Sequence, residues 1–180
     1  KDATRKLSQN PHNPDGLIPL ANLYFQEQLW EKAYPLYETM LNIAVAHSEI
    51  NLGQASLRQG ICALKIGKNE EAFKGLLQAR KINPDSFETN FYLGQAFINN
   101  KEVDKAIPLL RKALTINKEV PEIYKYLGLA LYQNHNFKES LPYLKRALDI
   151  TPDDKELLFS MADAMKEGGS GDRAIKVFMH

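Results

Sequence analysis

Four histidines, one cysteine and 22 carboxylates are the side chains of this chain that could ligate a metal, carry a proton or act as a nucleophile. A metal site needs them in spaced sets, such as two imidazoles one helical turn apart completed by a third donor. His12, His47, His135 and His180 fall in loops, turns or at the chain end, and no two of them are spaced that way. Cys62 stands alone in an apolar helical stretch, which suits a small core residue rather than a reactive thiol. The sequence has no glycine-rich phosphate loop, no G-x-S-x-G turn and no nucleophile set beside a base. Its carboxylates are scattered over polar helical positions, as on a solvated surface. The expectation is a protein that is not an enzyme and that needs no metal or cofactor.

The elements that carry these residues are set by an internal repeat. Residues 87–120 and 121–154 align without a gap at a period of 34 residues: Leu93-Gly94 falls on Leu127-Gly128, Ala106 on Ser140, Leu110 on Leu144, and Ala113-Leu114 on Ala147-Leu148. The same phase leads back to Gly60, Ala72 and Ala79 and forward to Ala162 and Ala174. Within each unit, two apolar periodicities of about 3.6 residues flank a short polar turn. Small residues stand where two helices must approach closely. Such a unit is a helix hairpin, and it cannot bury its apolar face without a neighbour.

The expected units are 14–47, 48–86, 87–120 and 121–154, with a truncated fifth at 155–180 and the tail of a preceding unit at 1–13. Together they make one domain. The step from Ala33 to Ala72 is 39 residues instead of 34. Because no proline or glycine interrupts 41–52, the extra length predicts a longer second helix in the first unit, a longer helix after it, or both. Prolines 35, 108 and 142 recur early in the second helices, where a missing N–H is tolerated. Gly168-Gly169-Ser170-Gly171 reads as the turn of the fifth unit.

Charge narrows the class of partner. Lys and Arg number 23 against 22 Asp and Glu, and the balance holds in each half of the chain. Binding to a phosphate backbone calls for a basic surplus that is absent here, so nucleic acid is not expected. No apolar run approaches the ~20 residues of a membrane-spanning helix, and compartment cannot be read from a single cysteine. The basic pairs Arg111-Lys112 and Lys145-Arg146 recur late in successive second helices, as expected of a solvated outer face that complements the helix dipole.

The 34-residue helix-turn-helix pattern resembles the tetratricopeptide repeat (TPR), with a small residue at position 8, Ala at 20 and 27, and Pro at 32. The resemblance spans essentially the whole chain. Departures occur at Asn90 (position 4), Ser140 (position 20) and Lys118 (position 32). It implies an all-α, right-handed superhelical solenoid of antiparallel helix pairs that works as a protein-interaction scaffold. First helices would line a concave groove, into which positions 2, 5, 9, 12 and 13 point.

Carried over residue by residue, the resemblance places Asn22, Phe25 and Gln26 in the groove from the first unit, and Leu57, Ile61 and Leu64 from the second. The third gives Phe91, Gln95, Ile98 and Asn99, the fourth Lys125, Leu129, Tyr132 and Gln133, and the fifth Phe159. The expectation is a broken apolar stripe rimmed by amides able to pair with a peptide backbone. Phe91, Ile98, Leu129 and Tyr132 would form one contiguous patch. The carboxylate clamp of chaperone-adaptor TPR domains is not matched: in one frame its positions hold Ile18, Asn22, Arg58, Glu88 and Tyr92, and glutamate would repel a carboxylate. No asparagine ladder runs at position 6 either.

The resulting expectation is a scaffold that binds a peptide or helical segment of a protein partner. Two rivals are an assembly module that contacts partners, or itself, through exposed repeat ends, and a regulatory segment of a larger protein. The truncated last helix, with Ile175 and Phe178, motivates the first of these.

Overall fold

A computed structural model describes residues 2–168 of the chain. The described residues form α-helices with no strand. The turn expected at 168–171 and the end contacts expected of Ile175 and Phe178 fall wholly or partly outside them. By its contacts the chain divides into two compact units, Lys1–Ala96 and Phe97–His180.

The first unit starts with α1 (Asp2–Gln9), which packs on α2 (Pro14–Gln26); α3 (Trp30–Ile43), α4 (Leu52–Lys65) and α5 (Asn69–Ile82) follow, each packed on the one before. The boundary between the units falls inside α6 (Phe87–Asn99). The second unit continues with α7 (Val103–Ile116), α8 (Glu122–Gln133), α9 (Phe137–Ile150) and α10 (Lys155–Glu167).

Local chemistry sets where these helices begin. Asn13, Asn51 and Asp154 precede α2, α4 and α10, and their side-chain oxygens accept hydrogen bonds from Asp15, Gln54 and Leu157 N–H at 3.0, 3.0 and 3.2 Å. The second helices α3, α5, α7 and α9 have no side-chain cap, because each follows directly on the turn that ends the helix before it.

Those turns share one geometry. Gln28, Gly67, Lys101 and His135 take left-handed backbone, with φ of 58°, 82°, 62° and 63°. The N–H one residue later reaches back to the helix: Leu29 to Tyr24 O at 2.8 Å, Lys68 to Ala63 O at 2.8 Å, Glu102 to Phe97 O at 2.9 Å and Asn136 to Leu131 O at 2.8 Å. This is the Schellman arrangement, which satisfies carbonyls left over at the helix end.

Each unit closes its core by a close approach of a first helix to a second. A Cβ on Gly60 would lie 2.7 Å from Leu76 Cγ and 3.0 Å from Leu76 N, and one on Gly128 would lie 2.9 Å from Leu144 Cδ2 and 3.0 Å from Leu144 N. The small residue at position 8 is therefore what admits the facing leucine. Around these contacts Leu17, Tyr37, Cys62 and Leu76 are buried in the first unit, and Leu110, Ile123, Leu127, Leu131 and Leu157 in the second.

Two expectations need correction. The extra residues add at most one residue to a helix: α3 has 14 residues like α5, α7 and α9, and α4 has 14 against 13 in α6. The additional length goes into the link 44–51, as a 3-10 turn over Ala44–Ala46 that leaves Val45 fully exposed, followed by Ile50, which is buried. Burial of Ile50 ties the link down and lets Asn51 start a new helix. Prolines 35, 108 and 142 are the sixth residues of α3, α7 and α9, beyond the first turn. Each removes one intrahelical hydrogen bond; all three are exposed, so water can satisfy the carbonyl left free.

Candidate interaction surfaces

In the first unit the faces of α2 and α4 meet at a cation over aromatic rings. The Arg58 guanidinium lies 4.8 Å from the Phe25 ring centroid and donates to Asn22 Oδ1 at 2.7 Å and to Tyr37 Oη at 3.4 Å. The Tyr37 hydroxyl donates to the same Asn22 oxygen at 2.8 Å. Phe25 makes edge contacts with Trp30 and Tyr37, at centroid distances of 5.2 and 6.1 Å. Asn22 Oδ1 thus has two internal donors, and its carbonyl is engaged within the fold. Arg58, outside the expected groove set, organises this face.

The other expected residues of this unit differ in access. Gln26 is exposed, Phe25 and Leu57 are half-buried, and Ile61, Leu64 and Gln95 are buried. Phe91 is only 6% exposed; its ring stacks on Phe87 at 5.4 Å and meets Tyr92 edge-on at 5.2 Å.

In the second unit α8 is tied to α10 by two polar contacts. Lys125 Nζ donates to Asp154 Oδ2 at 2.7 Å, with Glu156 at 4.0 Å, and the Tyr132 hydroxyl donates to Asp163 Oδ2 at 2.6 Å. The hydrogen bond from Lys125 holds the Asp154 carboxyl below its ordinary range, and the same bond raises the Lys125 ammonium. Tyr132 is pushed up to about 12, first by its bond to Asp163 and then by burial. Leu129 is buried with Leu157 and Met161, because α10 covers that position of α8. Ile98 is half-buried, and Asn99 and Gln133 are exposed. Phe159 on α10 is 63% exposed.

The expected stripe therefore consists of two kinds of side chain. Ile61, Leu64, Phe91 and Leu129 are packing residues, while Phe25, Leu57, Ile98, Tyr132 and Phe159 keep accessible surface. Spacing could not separate the two kinds, since each position's exposure depends on how closely the next helix lies against it.

Among the described residues no group of three or more His, Cys, Asp and Glu side chains could hold a metal ion, and no helix is long and apolar enough to cross a membrane. The Cys62 thiol is pushed up to about 12, mainly by burial, which keeps it protonated and poorly nucleophilic.

No curated protein matches the chain by sequence. Solved structures do resemble it. MamA is 20% identical with a TM-score of 0.74, covering 91% of this chain and 86% of its own. A second MamA structure, MSR-1 C2, is 21% identical with a TM-score of 0.77 and covers 91% of both chains. YrrB, described as a TPR protein with an unusual peptide-binding site, is 16% identical with a TM-score of 0.78 and covers 98% of this chain and 89% of its own. At these identities the likeness establishes the fold, an all-α solenoid of helix pairs. The tetratricopeptide repeat profile matches residues 12–178, nearly the whole length, and this chain belongs to the tetratricopeptide repeat family.

Proposed function

We propose that the chain is a non-catalytic scaffold that binds a peptide or helical segment of a protein partner across the faces of its first helices. The family supports a protein-interaction role in general. The observation that carries the finer reading is Phe159, a large aromatic side chain 63% exposed on α10, the helix that Asp154 caps and that carries Asp163. An aromatic anchor ringed by polar groups is the usual form of a recognition hot spot, where truncation costs about 2 kcal/mol or more. The partner on this reading is a polypeptide with an apolar anchor of its own, and not a nucleic acid, in keeping with the net charge of +1.

Selection of binders from a displayed peptide library against the 180-residue chain tests this. The enriched peptides should carry apolar anchors and lose more than about tenfold in affinity on Phe159→Ser. They should keep it on Val45→Ser, a control at an even more exposed apolar residue elsewhere. Binders indifferent to Phe159→Ser and to Phe25→Ala would remove the first-helix face from the account. Sedimentation of the same sample separates this reading from assembly through the repeat ends, which requires a concentration-dependent mass.

A further inference from the structure

Phe159 shares one side of α10 with two carboxylates. Glu156 precedes it by three residues and Asp163 follows it by four, spacings that set the three side chains in one row along a helix. Both carboxylates reach α8: Glu156 Oε2 stands 4.0 Å from Lys125 Nζ, and Asp163 Oδ2 accepts from the Tyr132 hydroxyl at 2.6 Å. Glu167, one turn beyond Asp163, is near enough for its charge to help hold the Tyr132 proton. Between these groups Phe159 is 63% exposed, whereas Ile18, Leu57, Phe91 and Lys125, at the same repeat position, are buried or half-buried.

The flank of Phe159 turned to α8 is acidic. It carries Glu156, Asp163 and Glu167, while the helical count puts Lys155 and Lys166 on the opposite flank. Lys125 of α8 does not offset this charge, because its ammonium donates to the Asp154 carboxylate at 2.7 Å.

An exposed ring beside carboxylates has a definite complement. The face of an aromatic ring attracts a cation, and the fold itself uses that contact. Arg58 lies 4.8 Å from the Phe25 centroid with one N–H on Asn22 Oδ1, and Arg146 lies 4.8 Å from the Tyr124 centroid. Among the described residues no lysine or arginine lies over Phe159, and no other ring meets it. A carboxylate brought to this flank would be repelled. A purely apolar side chain would cover Glu156 and Asp163 without replacing the water they lose. An ammonium answers the charge as a point, but a guanidinium is planar, so it can lie on the ring and give N–H groups to a carboxylate at the same time. Resting on the first-helix reading above, we propose that this face recognises an arginine next to the partner's apolar anchor, its guanidinium laid against the Phe159 ring and its N–H groups on Glu156 and Asp163.

The test uses the 180-residue chain and the peptide acetyl-Leu-Arg-Leu-Arg-amide, with citrulline or glutamate in place of arginine as controls. Citrulline keeps the shape of arginine and removes its charge. Binding is read from the NMR signals of the Phe159 ring and backbone. The arginine peptide should give saturable shifts at millimolar concentration, bind at least about tenfold more tightly than either control, and weaken as salt is raised. Glu156→Lys should abolish that preference. Glu70→Lys, the same change of charge at an exposed first-turn glutamate of α5, should leave it intact. Equal binding of the arginine and citrulline peptides, no binding of the arginine peptide, or a preference that survives Glu156→Lys would each overturn the proposal. So would Phe159 shifts that grow with protein concentration alone, which mark a second copy on this face. Should Glu156→Lys fail to fold, the peptide comparison on the unmodified chain decides alone. Phe159→Ser tells the two readings apart. If arginine and citrulline peptides bind alike and both lose affinity in that variant, the first-helix face stands and the arginine is removed; if both are indifferent to it and to Phe25→Ala, the face itself fails and the arginine with it.

Discussion

The hydroxyl of Tyr132 donates to Asp163 Oδ2 at 2.6 Å, joining α8 to α10 through a phenol that is held protonated. A bond made only by the neutral phenol favours the folded state while the proton is present. Its contribution is complete below the unfolded tyrosine pKa of about 10 and is lost as the pH rises towards about 12. Tyr34, raised to about 12 mainly by burial and then by its bond to Glu38, acts in the same sense. Stability to urea should therefore be flat near neutrality and fall above about pH 10. Tyr132→Phe should be less stable at pH 7 by about 1 kcal/mol and lose less on going alkaline. In a tyrosinate absorbance titration, Asp163→Asn should advance one late-titrating group by about one pH unit or more. An unchanged titration in Asp163→Asn would separate the hydrogen bond from the pKa.

Asp154 has two roles on opposite oxygens. Oδ1 caps α10 through Leu157 N–H at 3.2 Å, and Oδ2 accepts from Lys125 at 2.7 Å. Asp154→Asn keeps the cap and loses the ion pair, whereas Asp154→Ala loses both. The Ala variant should cost about 1–2 kcal/mol, with most of the loss assigned to the cap. The partly exposed ion pair contributes at most about 1 kcal/mol. Since the folded-state pKa of Asp154 is lowered, its contribution is present above about pH 4 and is lost as the pH falls through the depressed value. The unmodified chain should be the more stable of the two near neutrality, and its advantage over Asp154→Asn should shrink to nothing as the pH falls through the depressed value. A stability difference that stays constant with pH would contradict the assignment.

The left-handed turn residues offer a contrast within one molecule. Gly67 takes φ of 82° at no steric cost, while Gln28, Lys101 and His135 occupy the same region with a Cβ. Replacing any of those three by glycine should stabilise the chain by about 0.5–1 kcal/mol, and Gly67→Ala should destabilise it by about 1 kcal/mol. Thermal denaturation of the four single variants measures this. Uniform destabilisation by glycine would mean that the three side chains contribute more than their backbone strain costs.

These turns also show how much of the fold was readable. They recur at the steps seen in the sequence, 39 residues from Gln28 to Gly67 and then 34 twice, because a Schellman end is a local device written into each repeat. Helix phase and the facing pairs Gly60–Leu76 and Gly128–Leu144 follow from the same periodicity. What periodicity could not supply is how side chains of different helices share space. The extra residues at 41–53 suited a longer helix until burial of Ile50 fixed them as a link. Arg58 carried no signal of its own, since its role arises only when α4 brings it over Phe25. Gly75 was individually unremarkable, and its meaning lies in the close approach of α4, whose Ser56 O and Gly60 N would lie 2.8 and 2.9 Å from a Cβ there.

The candidate surface can be divided by pairing Phe91 with Phe159. Spacing gives both phenylalanines the same repeat position, yet one is 6% and the other 63% exposed. A buried phenylalanine contributes its transfer energy and the cavity it would leave, so Phe91→Ala should cost about 3–5 kcal/mol of stability. Leu127→Ala, at a fully buried leucine, should fall in a similar range of about 2–5 kcal/mol. Phe159→Ala removes a side chain that already faces water, and its effect on stability should stay within about 0.5 kcal/mol. For binding the order reverses: Phe159→Ala should weaken a peptide ligand by more than about tenfold in a protein that still melts normally. Phe91→Ala should reduce binding only in proportion to the fraction of chain it unfolds, so affinity should recover when temperature is lowered. Urea denaturation and calorimetric titration on the two variants, with Tyr132→Ala as an intermediate case, make the comparison. If Phe159→Ala destabilises the fold while Phe91→Ala leaves it intact, the division between packing and contact residues drawn from their exposure is wrong.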